Sequence, residues 1–231
     1  MTLRARLVAM AMGLTVLATG TLTTLNQMAL RSSLSAKYDQ AAHAAALEAR
    51  NSMSTIAQRL GVYTATLSDR PELIAMAQDP NPDARGRLGK AFEAFKAKDP
   101  TLSSLEVTDR DGTVVARGHK PAEFGDSKAG ATGVTAALRG QIWQGYDYSR
   151  ASGNMALDSV VPIYAEGRVV GTLKAGARLK DATAQAIRAL VGDDVVLILN
   201  GKVVATAFAK PNTQFNPDSK RLGVLTLDQP T

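Results

Sequence analysis

Lys174 is the residue in this 231-residue chain whose setting most invites chemistry. It interrupts Val169–Ala177, a run otherwise built of apolar, small and hydroxyl residues. Alternation along a strand puts Val170, Thr172 and Lys174 on one face and Leu173 and Ala175 on the other. If the first face lines a pocket, the ammonium needs an anionic partner; if it meets solvent, the lysine is ordinary. Asp158, in the preceding apolar run, can pair with Lys174 across neighbouring strands, which by itself stabilises a sheet only modestly.

Other carriers of chemistry are few. The chain has two histidines, His43 and His119, and no cysteine, which excludes disulfides and Cys-ligated zinc. One histidine beside scattered acids makes no triad, and no G-x-S-x-G elbow, phosphate loop or H-E-x-x-H occurs. Asp109-Arg110-Asp111-Gly112 looks like half a calcium loop, but a β-branched strand starts directly after Gly112 and no glutamate follows at the required spacing. It reads as a hairpin turn. No catalytic residue, metal or cofactor is assigned, and the chain is not read as an enzyme. The net charge of +6 comes from basic residues interspersed with acidic ones, so a nucleic-acid surface is not indicated either.

The elements that must position these residues follow from periodicity. Arg4 and Arg6 precede an uncharged run from Leu7 to Leu30, long enough as a helix to cross a hydrocarbon core of about 30 Å. Positive charge at its start keeps the N-terminus cytoplasmic and sends the remainder outward. Leu34, Tyr38, Ala41, Ala45, Ser52, Ile56, Leu60, Tyr63 and Leu67 continue as a near-heptad stripe. Its alanine-rich first half suits either a parallel homodimer or a lone solvated stalk, and both readings stand. Ser68 or Asp69 is expected to cap a short helix over 71–78, followed by another over 83–98. Strands over 102–108 and 113–117, a helix over 132–138, and strands over 142–149, 155–164 and 168–179 follow. A helix over 181–191 leads to a hairpin around Asn200-Gly201, with one further strand expected over 222–227.

The fold expected is α+β, with two hairpins and a helical crossover forming a five-stranded antiparallel sheet with helix and loop over one face. Four segments result: an anchor over 1–30, a stalk and short helices over 31–101, a sheet module over 102–180, and a linker helix with an incomplete second module over 181–231. The second module repeats the first, LEVTDRDGTVVARG against VLILNGKVVATAF, and stops short, so the chain is expected to be part of a longer protein.

VTDRDGTVVARGHKPAEFG, ALRGQ, ALDSVVPIY and GRVVGTLKAGARL, in that order after an anchor and long helix, resemble the Cache family of extracellular PAS-like sensors. The resemblance is best over 102–179 and implies a double-Cache domain of a bacterial inner-membrane receptor, sensing a small solute in the periplasm. Any output domain would lie beyond Thr231. It also implies site residues. His119 falls where the dicarboxylate sensors place a binding histidine, Arg117 one residue from an expected arginine, and Lys174 where a ligand-binding hydroxyl can stand. Asp158 replaces an arginine of citrate binders, a departure that favours an amine or mixed-charge solute over a di- or tricarboxylate. Tyr146 and Tyr148, with Trp143, would supply an apolar wall or a contact to a cation. The competing reading is a structural module that binds nothing, and convergence of Arg117, His119, Asp158 and Lys174 on one cavity discriminates the two.

Overall fold

The chain has no proline before Pro71, and its first helix, α1 (Leu3–Ser68), runs unbroken to the turn that precedes it. The computed structural model describes residues 3–149, 154–192, 194–199 and 202–209, without the side chains of 3–20, 23, 149, 199 and 202. The segment expected as an anchor is helical in backbone, and most of its side chains fall outside the described ones. Among the described residues no helix is long and apolar enough to cross a membrane. The described residues divide into two units, those up to Ala46 in one and those from Leu47 in the other.

Within the second unit α1 presents Ala49, Met53, Ile56, Leu60, Thr64 and Leu67 to the core. Their spacings of three and four define one helical face. Leu34 and Tyr38, upstream on the expected stripe, are exposed. Helix α2 (Pro71–Gln78) follows with Pro71 in its first turn. The N-cap is Arg70, not Ser68 or Asp69, and no side chain caps the helix. The proline sets the first turn, so the cap falls on a residue that has no acceptor to offer. Helix α3 (Pro82–Lys98) starts one residue before the expected position and is capped by Asn81, whose Oδ1 accepts from the Ala84 N–H at 2.8 Å.

Strands β1 (Leu102–Asp109), β2 (Val114–Arg117), β3 (Trp143–Ser149), β4 (Asn154–Ala165) and β5 (Arg168–Arg178) form one antiparallel sheet in the order β2-β1-β5-β4-β3. Asp109 Oδ1 takes the N–H groups of Asp111 and Thr113, and Gly112 turns with φ at 77°, closing the first hairpin. At Glu166-Gly167 both residues have positive φ, the conformation that links β4 and β5 tightly. Leu105, Val107, Leu157, Val161, Ile163, Leu173, Ala175 and Ala177 point from one face into a core shared with α1, α2 and α3. Helix α4 (Thr132–Leu138) covers the other face, where Val134 and Ala137 pack on Val160 and Trp143. Gly133 permits that approach, since a Cβ there would lie 2.6 Å from the indole and 2.7 Å from Val160.

Helix α5 (Asp181–Val191) leads to a separate two-stranded sheet, β6 (Val195–Leu199) with β7 (Lys202–Ala207). Ile187, Leu197 and Ala205 extend the main core. The Asn200-Gly201 turn and the strand expected over 222–227 lie outside the described residues.

Within this apolar packing, one buried hydrogen bond joins α1 to β4. Thr64 Oγ1 donates to the carbonyls of its own helix, Leu60 at 3.2 Å and Gly61 at 3.0 Å, and meets Ser159 Oγ of β4 at 3.1 Å. With its proton committed, Thr64 accepts from Ser159. Losing the threonine strands a buried serine, whereas losing the serine leaves the threonine satisfied. Thr64→Val is therefore expected to cost about 1–3 kcal/mol and Ser159→Ala about 1 kcal/mol or less. Urea unfolding of both variants and the double checks this; equal costs for the singles would contradict the donor assignment.

Candidate functional site

The face of the sheet under α4 is laid out by strand register. Glu106 of β1 and Val160 of β4 both lie opposite Lys174 of β5, and Trp143 lies opposite Val160. One step along, Asp158 lies between Gly145 and Gly176, and Gly176 also pairs with Ser104. One step further, Asp147 and Arg178 both lie opposite Ala156. The faces assigned to Lys174 and its neighbours by alternation are those observed.

Over this floor lies a cleft of about 1190 Å³, lined among others by Glu106, Arg117, His119, Asp147, Asp158, Lys174 and Arg178. Lys174 is a partly buried ammonium, its Nζ 3.5 Å from Glu106 Oε1 and 3.7 Å from Asp158 Oδ2. Burial alone would lower its pKa, but Asp158, Glu106 and Asp147 outweigh that and hold it above the ordinary lysine value. Burial would likewise raise Glu106, yet Lys174 and Arg117 keep it below the usual carboxylate value. Asp158 has no such surplus. Burial pushes its carboxyl up to about 6, Lys174 pulls it back only in part, and Asp147 and Glu106 add to the rise. Glu106 Oε1 and Asp158 Oδ1 are buried and accept no hydrogen bond from any described residue.

Arg117 is placed on the cleft with its donors occupied. Its Nε donates to Glu106 at 2.7 Å, and its terminal nitrogens meet both carboxylate oxygens of Asp126 at 2.8 Å and the Glu123 carbonyl at 3.1 Å. It thereby ties the loop after β2 to the sheet. Arg85 supports that loop from α3, lying over the Phe124 ring at 3.6 Å and donating to the Val115 carbonyl. His119 is half-buried, with Nδ1 3.4 Å from the Leu105 backbone, and burial lowers its pKa, leaving the ring neutral at neutral pH.

Of the six residues expected at a site, Arg117, His119, Tyr148, Asp158 and Lys174 line the one cleft. Tyr146 does not. It lies opposite Leu157, whose side chain enters the main core, and packs against that core. Glu106, Asp126, Asp147 and Arg178 were not anticipated. Glu106 had a readable signal, as a charge flanked by Leu105 and Val107 just as Lys174 is flanked by Leu173 and Ala175. Among the described residues no three His, Asp or Glu side chains converge as metal ligands.

A family model described as a double sensory domain of two-component sensor kinases matches residues 31–224. No curated protein sequence matches the chain. Among solved structures, the fold is similar to the sensor domain of the Vibrio cholerae histidine kinase DctB, with a TM-score of 0.55 and 15% identity. That match covers 68% of this chain and 60% of the DctB domain, so the chain spans well under the whole length of that relative. It is similar too to the ligand-binding domain of the Campylobacter jejuni chemoreceptor Tlp3 in complex with L-valine, with a TM-score of 0.52 and 12% identity over 78% of this chain and 73% of the other. At such identities the likeness speaks for the fold.

The folded pKa of Asp158, about 6, lies above the value of about 3.9 for an unfolded aspartate. The unfolded chain therefore releases this proton first, and stability is lost as pH rises from about 4 to about 6. Asp158→Asn removes the effect. Its stability relative to the parent should rise by on the order of 2 kcal/mol between about pH 4 and pH 7 in urea unfolding. Parallel profiles would mean that Asp158 is not desolvated in the native state.

Proposed function

The chain belongs to the family of double sensory domains, and on that premise we propose that it is the extracytoplasmic ligand-sensing part of a membrane-bound receptor, taking a small solute into the cleft under α4. One observation carries the reading. The cleft floor holds a partly buried lysine between two carboxylates and leaves one buried carboxylate oxygen, Asp158 Oδ1, without a hydrogen bond from a described residue. A module that served only as a spacer would gain stability from filling such a floor with apolar side chains, because unsatisfied buried polar groups cost about 1–3 kcal/mol each. A polar ligand meets that cost.

Asp158 and Lys174 form the floor of the proposed site, His119 and Arg117 its loop side, and Tyr148 its margin; Tyr146 is a core residue. The binding of amino acids by the Campylobacter chemoreceptor and the kinase context of the Vibrio domain place amino acids, amines and carboxylates among the solutes to try. The uncharged run Leu7–Leu30, with Arg4 and Arg6 before it, is proposed as the anchor that sets the sheet on the outer side of the membrane. Helix α5 with β6 and β7 is proposed as the start of the second module, and signalling as a population shift passed to α1. A ligand can drive that shift only by the difference in its affinity for the two arrangements.

Thermal unfolding of the purified chain against amino acids, amines and carboxylates tests this. A ligand at a hundred times its dissociation constant should add about 2.7 kcal/mol. For a domain of this size that corresponds to a rise of roughly 5–10 °C. The double substitution Lys174→Ala with Asp158→Ala should erase the shift while keeping the far-UV spectrum. A shift that survives it places the ligand elsewhere, and no shift across the panel favours a purely structural module.

A further inference from the structure

Helix α1 carries one irregularity of sequence in the part that packs on the sheet. Gly61 is the only glycine from Thr21 to Ser68, and it stands inside the helix, where glycine lowers helix formation about fivefold relative to alanine. Such a glycine ordinarily marks a packing requirement. Here no neighbouring backbone imposes one. Beyond its own helix, a Cβ on Gly61 would meet nothing within 4 Å except Gln144 of β3, whose Nε2 would lie 2.6 Å away and whose Cδ 3.9 Å. The missing methyl group leaves room for the end of one side chain.

Gln144 lies along α1 at this point, its Nε2 donating to the Ala57 carbonyl at 3.5 Å, one turn before Gly61. Its register partner on β4 is Ser159, which meets Thr64 one turn further on. The same two turns are tied to the end of α3. Tyr63 donates to Asp99 Oδ2 at 3.2 Å, and Arg59 Nε lies 3.3 Å from that oxygen.

We propose that Gly61 is a notch that receives the Gln144 side chain and fixes the axial register of α1 on the sheet. A slide of one turn in either direction would bring Ala57 or Ala65 to Gln144, and each carries the Cβ that the notch lacks. The helix therefore has one position in which the amide lies against it, and leaving that position means lifting the amide out. The detent is soft, because the obstacle is the end of a flexible side chain that yields by changing rotamer. Trp143 and Asp158, the chain neighbours of Gln144 and Ser159, face the other way and line the cleft. A displacement of β3 or β4 on the cleft side thus reaches α1 at the notch. This goes beyond the sensor reading and does not rest on any solute.

The test uses the full chain. In urea unfolding, Gly61→Ala should raise the folding constant about fivefold in a Gln144→Ala background, the intrinsic difference between the two residues. In the parent the gain should be no more than half of that, because the new methyl group must expel the amide. Equal gains in the two backgrounds would mean that Gln144 does not occupy the notch. The same curves show that each variant folds. Register is read separately. The chain has no cysteine, so nitroxides can be placed at Leu47→Cys on α1 and Arg168→Cys on β5, both exposed, and their separation measured by pulsed dipolar spectroscopy. The parent should give one narrow distance distribution. Gly61→Ala and Gln144→Ala should each widen it at least twofold, so that Gly61→Ala makes the chain more stable and the helix less well placed. A distribution that stays narrow in both variants would overturn the proposal and leave Gln144 as a passive filler, with the sensor reading untouched.

Discussion

A lysine buried in a sheet sets the terms for this domain. Lys174 can remain charged there only if carboxylates reach it from both neighbouring strands, and the order β1-β5-β4 supplies them as Glu106 and Asp158. Glu106, drawn in by the lysine, binds Arg117 through its second oxygen, and Arg117 in turn fastens the loop after β2 through Asp126. A chain of alternating charge therefore runs from the centre of the sheet to the loop over its edge. Removing one member would leave another charged and partly desolvated, so the network holds together as a unit.

The elements were legible because their signals are local. Alternation in Val169–Ala177 and Asp-Gly at the first hairpin each specify backbone within a few residues, and the described strands and helices stand within a residue or two of where local signals put them. The stripe of α1 was legible in period and less so in phase. Ala49, Met53 and Thr64 reach the core alongside Ile56, Leu60 and Leu67, while Leu34 and Tyr38 are exposed. Alanine and threonine carry too little apolar contrast to mark which side of a helix is buried.

The site was legible only in part, for a different reason. Lys174 and Asp158 stood out as charges inside apolar strands, and their pairing follows from strand adjacency. The roles of Glu106 and Asp126 depend on strand order and on where a loop folds back, which no local pattern encodes. Tyr146 was misplaced because no local pattern tells which side chains of β3 meet the core, and only the pairing with Leu157 shows that Tyr146 does. Arg178 escaped notice because a basic residue at the end of a strand is usually solvated.

Strand β4 has a further property, arising from the adjacency of Asp158 and Ser159. Successive residues face opposite ways, so the aspartate lies in the cleft and the serine beneath the sheet against Thr64 of α1. A sideways step of this strand by a fraction of an ångström is thus reported on both surfaces at once. The hydroxyl contact acts as a clutch with an easy release on the helix side: Thr64 has its own carbonyls to bond, so α1 can slip past β4 without stranding a polar group of its own. Only Ser159 loses by the separation. Besides the apolar packing of its buried face, the helix is tied to the sheet by this hydroxyl pair and by Gln144 of β3, which donates to the Ala57 carbonyl.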